Sequence, residues 1–286
     1  MVEKLKPFYE NVQAHYDLSD DFFALFLDPS RTYSCAYFRE EDMTLEQAQE
    51  AKVELSLSKC DLKPGQKILD IGCGWGTTAI RAAEKYSVDA IGITLSKNQR
   101  EFAASRKVNS DRNVEFRLQG WEEFTEPVDR IVSIGAFEHF RKQRHQEFFE
   151  KCRELLPSDG TMLLHTIVLN TLSELEKLGV EIGAEDIAFA KFMIKEIFPG
   201  GQLCNPPSIE RLANEAGFKV EHVEPLRLHY ARTLDIWAET LNGAKQEAIE
   251  LTSEEVFDRY MKYLTGCADS FRKGFIDVIQ FKLSCV

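Results

Sequence analysis

The sequence predicts an α/β fold in which a mostly parallel sheet of seven strands carries helices on both faces. Three observations lead to this prediction: short apolar runs alternate with helical patterns from residue 63 onward, a glycine-rich turn follows the first run, and no internal repeat is visible. Parallel strands need long crossover connections, and the helical patterns supply them. This order of elements is typical of a Rossmann-like fold.

Seven segments have the composition of strands. They are residues 67–72, 89–94, 114–119, 130–135, 162–168, 219–225 and 277–283. Helical patterns separate the first five, and residues 233–249 predict a helix between the last two. Because helices recur on both sides of each crossover, both faces of the sheet are expected to be covered.

Residues 1–60 precede the first strand and combine helical patterns with many aromatic residues. Thr44 and Gln47 have the spacing of a capping box, which predicts that a helix begins after Thr44. We expect this region to be an N-terminal helical cover over a site instead of part of the sheet core. The length of the chain suits one large domain, so residues 1–286 are predicted to form a single domain.

Residues 170–215 form an insertion between the fifth and sixth predicted strands. Its apolar residues fall near helical spacing and therefore form one stripe. The stripe contains Phe189, Phe192, Met193, Ile197 and Phe198. Two interpretations stay open: the stripe packs in the core, or the insertion is a helical lid whose apolar face lines a channel for a lipid.

Composition excludes several classes of protein. The net charge of −12 and the pI near 5.1 argue against nucleic acid as the main partner, because phosphate binding calls for a basic surface. The seven cysteines include no CxxC pair, so neither a disulfide framework nor a metal site is predicted. No apolar run approaches the roughly 20 residues of a transmembrane segment and no secretory leader is visible, so the cytoplasm is the expected location.

The strongest local motif is LDIGCGWG, residues 69–76, in which a strand leads through a glycine-rich turn into a helix. Gly72, Gly74 and Gly76 allow the backbone to approach a ligand closely, and the helix N-terminus favours an anionic group. On its own this motif fits NAD, FAD or S-adenosylmethionine equally well.

The segments after the second and third strands help to separate these ligands. A dinucleotide site expects an acidic residue after the second strand to bind the ribose, but residues 92–99, GITLSKNQ, contain none. Gln99 can donate and accept, so it could bind the ribose hydroxyls one helical turn later. The alternative is that Thr94 or Ser96 simply caps a helix and Gln99 lies on the surface. Trp121 and Glu122 follow the third strand, where an adenine could stack and hydrogen-bond.

These motifs belong to a larger set that runs through the chain in one order. The set comprises YSCAYF (33–38), LDIGCGWG (69–76), GITLSKNQ (92–99), GWEEF (120–124), SIGAFEHF (133–140), LLHTI (163–167), EIFPGG (196–201), HYARTLDIW (229–237) and YMKYLTGC (260–267). With it the sequence resembles the mycolic acid cyclopropane synthases. The resemblance implies a class I methyltransferase fold and transfer of a methyl group from S-adenosylmethionine to a cis double bond of a long meromycolate chain.

The resemblance also implies which residues form the site. The cofactor residues it implies are Tyr33, Ser34, Gly72, Cys73, Gly74, Gly76, Thr94, Leu95, Gln99, Trp121 and Glu122. It further implies a bound bicarbonate or carbonate ion that accepts the methyl proton, held by Cys35, the backbone of Ile134, Glu138, His165 and Tyr230. Cys267 is sometimes named as catalytic in this superfamily, although an alkene needs no thiolate for methylation. His139, next to Glu138, is expected to point away from the site.

The implied substrate is a long unsaturated acyl chain, carried by an acyl carrier protein, and the sequence does not disclose the oligomeric state. Methylation of an alkene leaves a carbocation, which demands a dry pocket with electron-rich walls. Gly135 resembles the ring-forming members, whereas a Glu there accompanies the hydroxylating type that adds water. A catalytically silent lipid-binding module and a methyltransferase for a small polar nucleophile are the competing hypotheses for the function.

Overall fold

The computed structural model describes residues 20–199 and 202–286, and its centre is one seven-stranded sheet with the order β3-β2-β1-β4-β5-β7-β6. The strands are β1 (Lys67–Ile71), β2 (Asp89–Thr94), β3 (Val114–Leu118), β4 (Arg130–Ile134), β5 (Thr161–Leu169), β6 (Phe218–Pro225) and β7 (Ile276–Cys285). Strands β1 to β5 run parallel, and β7 is antiparallel to both β5 and β6. The predicted mostly parallel sheet of seven strands is therefore confirmed.

The helices follow the predicted alternation over most of the chain. They are α1 (Asp20–Ala24), α2 (Leu45–Ser58), α3 (Thr77–Tyr86), α4 (Lys97–Ser105), α5 (His145–Leu155), α6 (Leu172–Leu178), α7 (Ala184–Phe192), α8 (Pro206–Glu215), α9 (Arg227–Gly243), α10 (Lys245–Leu251) and α11 (Glu254–Lys273). A π-helical turn, Met193–Ile197, extends α7, and short 3-10 turns follow β3 and β4. None of the helices in the described ranges combines the length and the apolar character needed to cross a membrane.

The strand order places a crevice where the site is expected. The chain leaves β1 for β2 on one side and reaches β4 on the other, so the connections diverge at the carboxyl ends of β1 and β4. In open α/β sheets, ligands bind at such a switch point. The glycine-rich turn after β1 and the 3-10 turn after β4 (Phe137–His139) both lie there.

The core has apolar layers on the sheet and an aromatic cluster that joins elements from both ends of the chain. That cluster brings together α1, α9 and α11, and includes Phe22, Phe26, Trp237, Tyr260 and Phe271, all of them buried. Tyr260 meets Phe22 edge to face with ring centroids 4.9 Å apart. The helices that precede β1 and those that follow β6 are thereby packed against one another.

The structure refines several predictions. Thr44 caps α2, and the capping box with Gln47 is present as predicted. An N-terminal cover was predicted for residues 1–60. Of these, residues 1–19 lie outside the described residues, and residues 20–58 contain α1 and α2 with irregular chain between them. Between β6 and β7 the structure has three helices where the sequence predicted one, because the amphipathic pattern of α11 was overlooked. The division into one domain with a cover and a lid stays a prediction.

Candidate active site

Two cavities meet above the carboxyl ends of the strands. The first, of about 140 Å³, lies at the glycine-rich turn after β1 and the ends of β2 and β3; we call it the turn cavity. The second, of about 610 Å³, lies under the insertion between β5 and β6; we call it the lid cavity. Tyr33, Ser34, Gly135 and His139 line both. A group bound in one cavity would therefore touch a group bound in the other.

The turn cavity contains nearly all the residues predicted to bind the cofactor. Tyr33, Ser34, Gly72, Cys73, Gly74, Thr94, Leu95, Gln99, Trp121 and Glu122 line it. Gly72 has φ of 79°, and a Cβ there would lie 2.4 Å from the Cβ of Ala136, so only glycine fits. Gly76 does not line the cavity: a Cβ on Gly76 would lie 2.7 Å from the ring of Phe116. Gly76 is needed for packing of α3 against β3.

Gln99 is held in place by the end of β2. The Thr94 hydroxyl donates to Gln99 Oε1 at 2.9 Å, which leaves the amide Nε2 of Gln99 to donate into the turn cavity. Ser96 caps α4, since its Oγ accepts from the backbone N–H of Gln99 at 3.3 Å. The helix cap that the sequence offered as an alternative is present at Ser96. Gln99, however, is buried and does not lie on the surface.

Glu122 offers an acceptor to the same cavity. Its Oε1 accepts from Arg144 Nη1 at 2.8 Å, whereas its Oε2 is buried and has no hydrogen-bond partner among the residues that the structure describes. Burial raises the pKa of Glu122, and the Arg144 guanidinium opposes that rise. Trp121 beside it is buried and packs against Phe140 and Phe148. A ligand amino group would satisfy the unpaired oxygen.

The four side chains predicted to bind an anion, Cys35, Glu138, His165 and Tyr230, line the lid cavity. Glu138 Oε1 accepts from the backbone N–H of Ile167 at 2.7 Å, and Glu138 Oε2 is buried without a partner within the described ranges. Burial raises the pKa of Glu138 to about 7. Ile134, the fifth predicted member, lines the turn cavity, one residue before the shared Gly135. Four of the predicted anion residues therefore line one cavity, and the fifth lies next to a residue that both cavities share.

The walls of the lid cavity are largely apolar. Phe189, Met193 and Phe198 come from the insertion between β5 and β6, and Tyr263 and Phe271 come from α11. Ile197, in contrast, is buried and packs in the aromatic cluster. One member of the apolar stripe therefore packs in the core and three face a cavity, and a lid over a lipid channel stays a prediction.

The comparisons with known proteins fit this geometry. The sequence profile of a family described as mycolic acid cyclopropane synthetase matches residues 3–281. Cyclopropane mycolic acid synthase 3 of Mycobacterium tuberculosis (strain CDC 1551 / Oshkosh) is 55% identical over 285 residues, which cover 99% of each chain. The chain belongs to the mycolic acid cyclopropane synthetase family.

Two solved structures show the likeness in three dimensions. The cyclopropane synthase MmaA2 from Mycobacterium tuberculosis superposes with a TM-score of 0.96 at 53% identity, covering 98% of this chain and 99% of that one. The mycolic acid cyclopropane synthase CmaA1 in complex with SAH and CTAB gives a TM-score of 0.94 at 54% identity, with the same coverage. Family membership thus extends to the whole arrangement of elements, and the class I methyltransferase fold predicted from the sequence is confirmed.

Two ionisable residues of the turn cavity were not predicted from the sequence. Lys52, from α2, and Asp70, from β1, line the cavity and are buried. Burial lowers the pKa of Lys52 to about 8 and raises the pKa of Asp70 to about 7, while each partly offsets the shift of the other. Asp70 could have been noticed because it interrupts an apolar strand; Lys52 gave no signal, since lysines are common on helices.

Two further residues lie at the site. His139 was expected to point away, and that expectation is wrong: it lines both cavities, and burial lowers its pKa to about 4. Cys267 lines the lid cavity with its Sγ 3.8 Å from Met193 Sδ. Burial raises the pKa of the Cys267 thiol, so the residue is a neutral wall group at physiological pH.

Proposed function

We propose that this protein transfers the methyl group of S-adenosylmethionine to a cis double bond of a long meromycolate acyl chain and closes a cyclopropane ring. The observation that carries the proposal is that the two cavities meet at Ser34 and Gly135, beside Glu138 and the other side chains predicted to bind an anion. One cavity is small and partly polar, and the other is larger and mostly apolar. A reaction between a polar donor and an alkene needs this pairing.

The turn cavity fits S-adenosylmethionine. Glu122 Oε2 would accept from the adenine amino group, Gln99 Nε2 would donate to the ribose, and the open face of Gly74, where a Cβ would meet nothing within 4 Å, would admit the amino-acid part. The related CmaA1 was solved with SAH, the demethylated form of this cofactor. When bound, the cofactor supplies an electrophilic methyl group on a sulfonium.

The lid cavity fits a long hydrocarbon chain. Its volume of about 610 Å³ offers room for such a chain, and its aromatic and aliphatic walls offer water few hydrogen-bond partners. The CmaA1 structure contains CTAB, a long-chain amphiphile, and this supports an acyl chain as occupant. A small polar nucleophile would find few partners among these walls, which speaks against that class of substrate.

The chemistry needs both an electron-rich wall and a base. One alkene carbon forms a bond to the methyl carbon as the carbon–sulfur bond breaks, and the neighbouring carbon becomes a cation. Tyr33, Tyr230 and Tyr263 present rings there that can stabilise the positive charge. A methyl C–H bond then breaks, its electrons close the ring, and the proton must go to a base.

We propose that Glu138 would help to hold a bicarbonate or carbonate ion, which would supply the base for this proton. The unpaired Glu138 Oε2 supports this, because a buried polar oxygen without a partner indicates space for a hydrogen-bonded group. Since burial raises the pKa of Glu138 to about 7, its carboxyl can exist in either protonation state near neutral pH and relay the proton.

Gly135 favours ring closure over addition of water. Its φ of 68° lies in the left-handed region, which favours glycine, and a Cβ there would lie 3.7 Å from the Cβ of Ser34. A longer side chain would point into the junction of the cavities and could orient a water. We further propose that the acyl chain arrives on an acyl carrier protein, that the enzyme works in the cytoplasm, and that the chain forms one domain.

The proposed function can be tested with methyl-deuterated S-adenosylmethionine and a host whose lipids carry cis-unsaturated meromycolates. Mass spectrometry of the lipids should show a gain of one carbon with two deuteriums and no oxygen, because ring closure loses one methyl deuterium. Three deuteriums with an added hydroxyl would assign the protein to the hydroxylating type. Lipids unchanged by the protein would favour the silent binding module and contradict the proposal.

A further inference from the structure

His165 is one of three residues that face each other across neighbouring strands. In the antiparallel ladders, His165 of β5 lies opposite Gln280 of β7, and Gln280 lies opposite Glu224 of β6. Directly opposed residues share one face of a sheet. His165 and Gln280 are both buried, whereas Glu224 is partly exposed. The row therefore leads from the protein surface to the lid cavity, which His165 lines.

The orientation of the Gln280 amide is determined by its neighbours. Lys59 Nζ lies 2.5 Å from Gln280 Oε1, and an ammonium can only donate, so the oxygen must face Lys59. Lys59 itself is held by an ion pair with Glu224. On the other side of the amide, Gln280 Nε2 donates to Ser56 Oγ at 3.0 Å, while the Ser56 hydroxyl donates to the carbonyl of Lys52 at 2.8 Å.

The amide orientation in turn determines which nitrogen of His165 carries the proton. Gln280 Nε2 lies 3.2 Å from His165 Nδ1, and because Nε2 is a donor, Nδ1 must accept. Burial, together with the positive charges of Lys52 and Lys59, holds the pKa of His165 well below its usual range. A neutral imidazole has one N–H, which must then be on Nε2.

We infer that Gln280, oriented by Lys59 and Ser56, is a positioning residue that holds His165 in the Nε2–H tautomer, so that the ring donates a hydrogen bond into the lid cavity. The effect of this tautomer on turnover rests on the proposed function, which places an anion beside Glu138. The opposite tautomer would present a lone pair on Nε2 to that anion and repel it. The tautomer itself depends only on the fold.

The direct test is nitrogen NMR of the full chain labelled with ¹⁵N-histidine. The sequence has six histidines, and the signals of His165 are those missing from a His165→Gln variant. We expect a neutral ring protonated on Nε2. Gln280→Glu should reverse the tautomer, since a carboxylate keeps the bond to Lys59 but accepts from His165 Nδ1. Gln280→Met should leave both tautomers populated. A wild-type ring protonated on Nδ1, or a ring unaffected by Gln280→Glu, overturns the inference.

Turnover then tests the functional consequence. Loss of a positioned donor to a reacting anion costs about 100-fold in kcat, so Gln280→Glu should lower kcat by about that factor and leave KM for S-adenosylmethionine unchanged. The matched control is Gln246→Glu, the same substitution at an exposed position of α10, which should behave as wild type. A reversed tautomer with kcat within about threefold of wild type would contradict the positioning role. Failure of the wild type to methylate lipid would contradict the proposed function while the NMR result stands.

Discussion

Lys52 Nζ donates a hydrogen bond to Ser34 Oγ at 2.7 Å, and this bond ties α2 to the segment that lines both cavities. One helical turn earlier, the Gln49 amide donates to the carbonyls of Thr32 and Ser34 at 3.1 and 2.8 Å. Buried side chains of one helix therefore fix the backbone at the point where methyl donor and acceptor would meet.

Stability should depend on pH through Glu138. Burial raises its pKa to about 7 from an unfolded value near 4.5, so the native state favours the protonated carboxyl. Its contribution to folding is full below about pH 4.5 and is lost as the pH rises through 7. Urea unfolding of wild type and Glu138→Gln should show the wild type losing stability relative to the variant between these pH values. Glu239→Gln, at an exposed position on α9, is the control and should show no such trend; a pH-independent difference for Glu138→Gln would contradict the prediction.

Glu122→Gln should weaken binding of S-adenosylmethionine. The substitution removes the charge that pairs with Arg144 and replaces one acceptor oxygen by an amide donor. Hydrogen bonds to charged groups contribute about 1.5–3 kcal/mol, so we expect Kd to rise about 10- to 100-fold by calorimetry. Glu101→Gln, exposed on α4, should bind normally. Equal affinities for Glu122→Gln and wild type would show that the unpaired oxygen does not bind the cofactor.

Gly135→Glu should change the product. At φ of 68° any side chain costs about 1–2 kcal/mol, and a carboxylate at the junction of the cavities could orient a water toward the cation. Mass spectrometry should then detect a methyl-branched alcohol beside the cyclopropane. Gly135→Ala has the same backbone strain without the carboxylate, so it should give the cyclopropane alone. Identical products from the two variants would contradict the role assigned to this position.

Gly266→Ala should impair binding of the acyl chain. A Cβ on Gly266 of α11 would lie 2.2 Å from the ring of Phe189, so the ring must move within the lid cavity. Overpacking costs about 1 kcal/mol or more, which corresponds to a rise of about fivefold in KM for the acyl substrate. The affinity for S-adenosylmethionine should not change. Gly243→Ala, where a Cβ would meet nothing within 4 Å, is the matched control, and an acyl KM that rises equally in both variants would refute the steric explanation.

Cys267→Ala should retain most of the activity. Burial raises the pKa of the thiol, so no thiolate nucleophile is available, and the side chain contacts Met193 in the cavity wall. We expect kcat within about threefold of wild type, with a modest loss of stability because the smaller alanine side chain packs less well in the cavity wall. A loss of about 100-fold or more in kcat, with the fold intact by circular dichroism, would restore the catalytic role sometimes given to this cysteine.

Much of the fold could be predicted from the sequence because the signals are local. The apolar strands, the glycine-rich turn and the capping box at Thr44 each depend on neighbouring residues, and each is confirmed. The contribution of Gly76 was misjudged, since only the fold shows that Phe116 packs against it. Gln280 could not be found because its partner His165 lies 115 residues away in sequence, and Lys52 could not be found because its partner Ser34 lies in irregular chain.

The position of β7 has a consequence for synthesis on the ribosome. This strand lies between β5 and β6, although the chain reaches it after both. Until β7 has emerged, β6 has no neighbour to pair with and β5 presents an open edge, which is a liability for aggregation. The sheet therefore closes last, and the same step brings Gln280 to His165. A chain interrupted before β7 would therefore expose the edges of β5 and β6 and would lack the contact between Gln280 and His165.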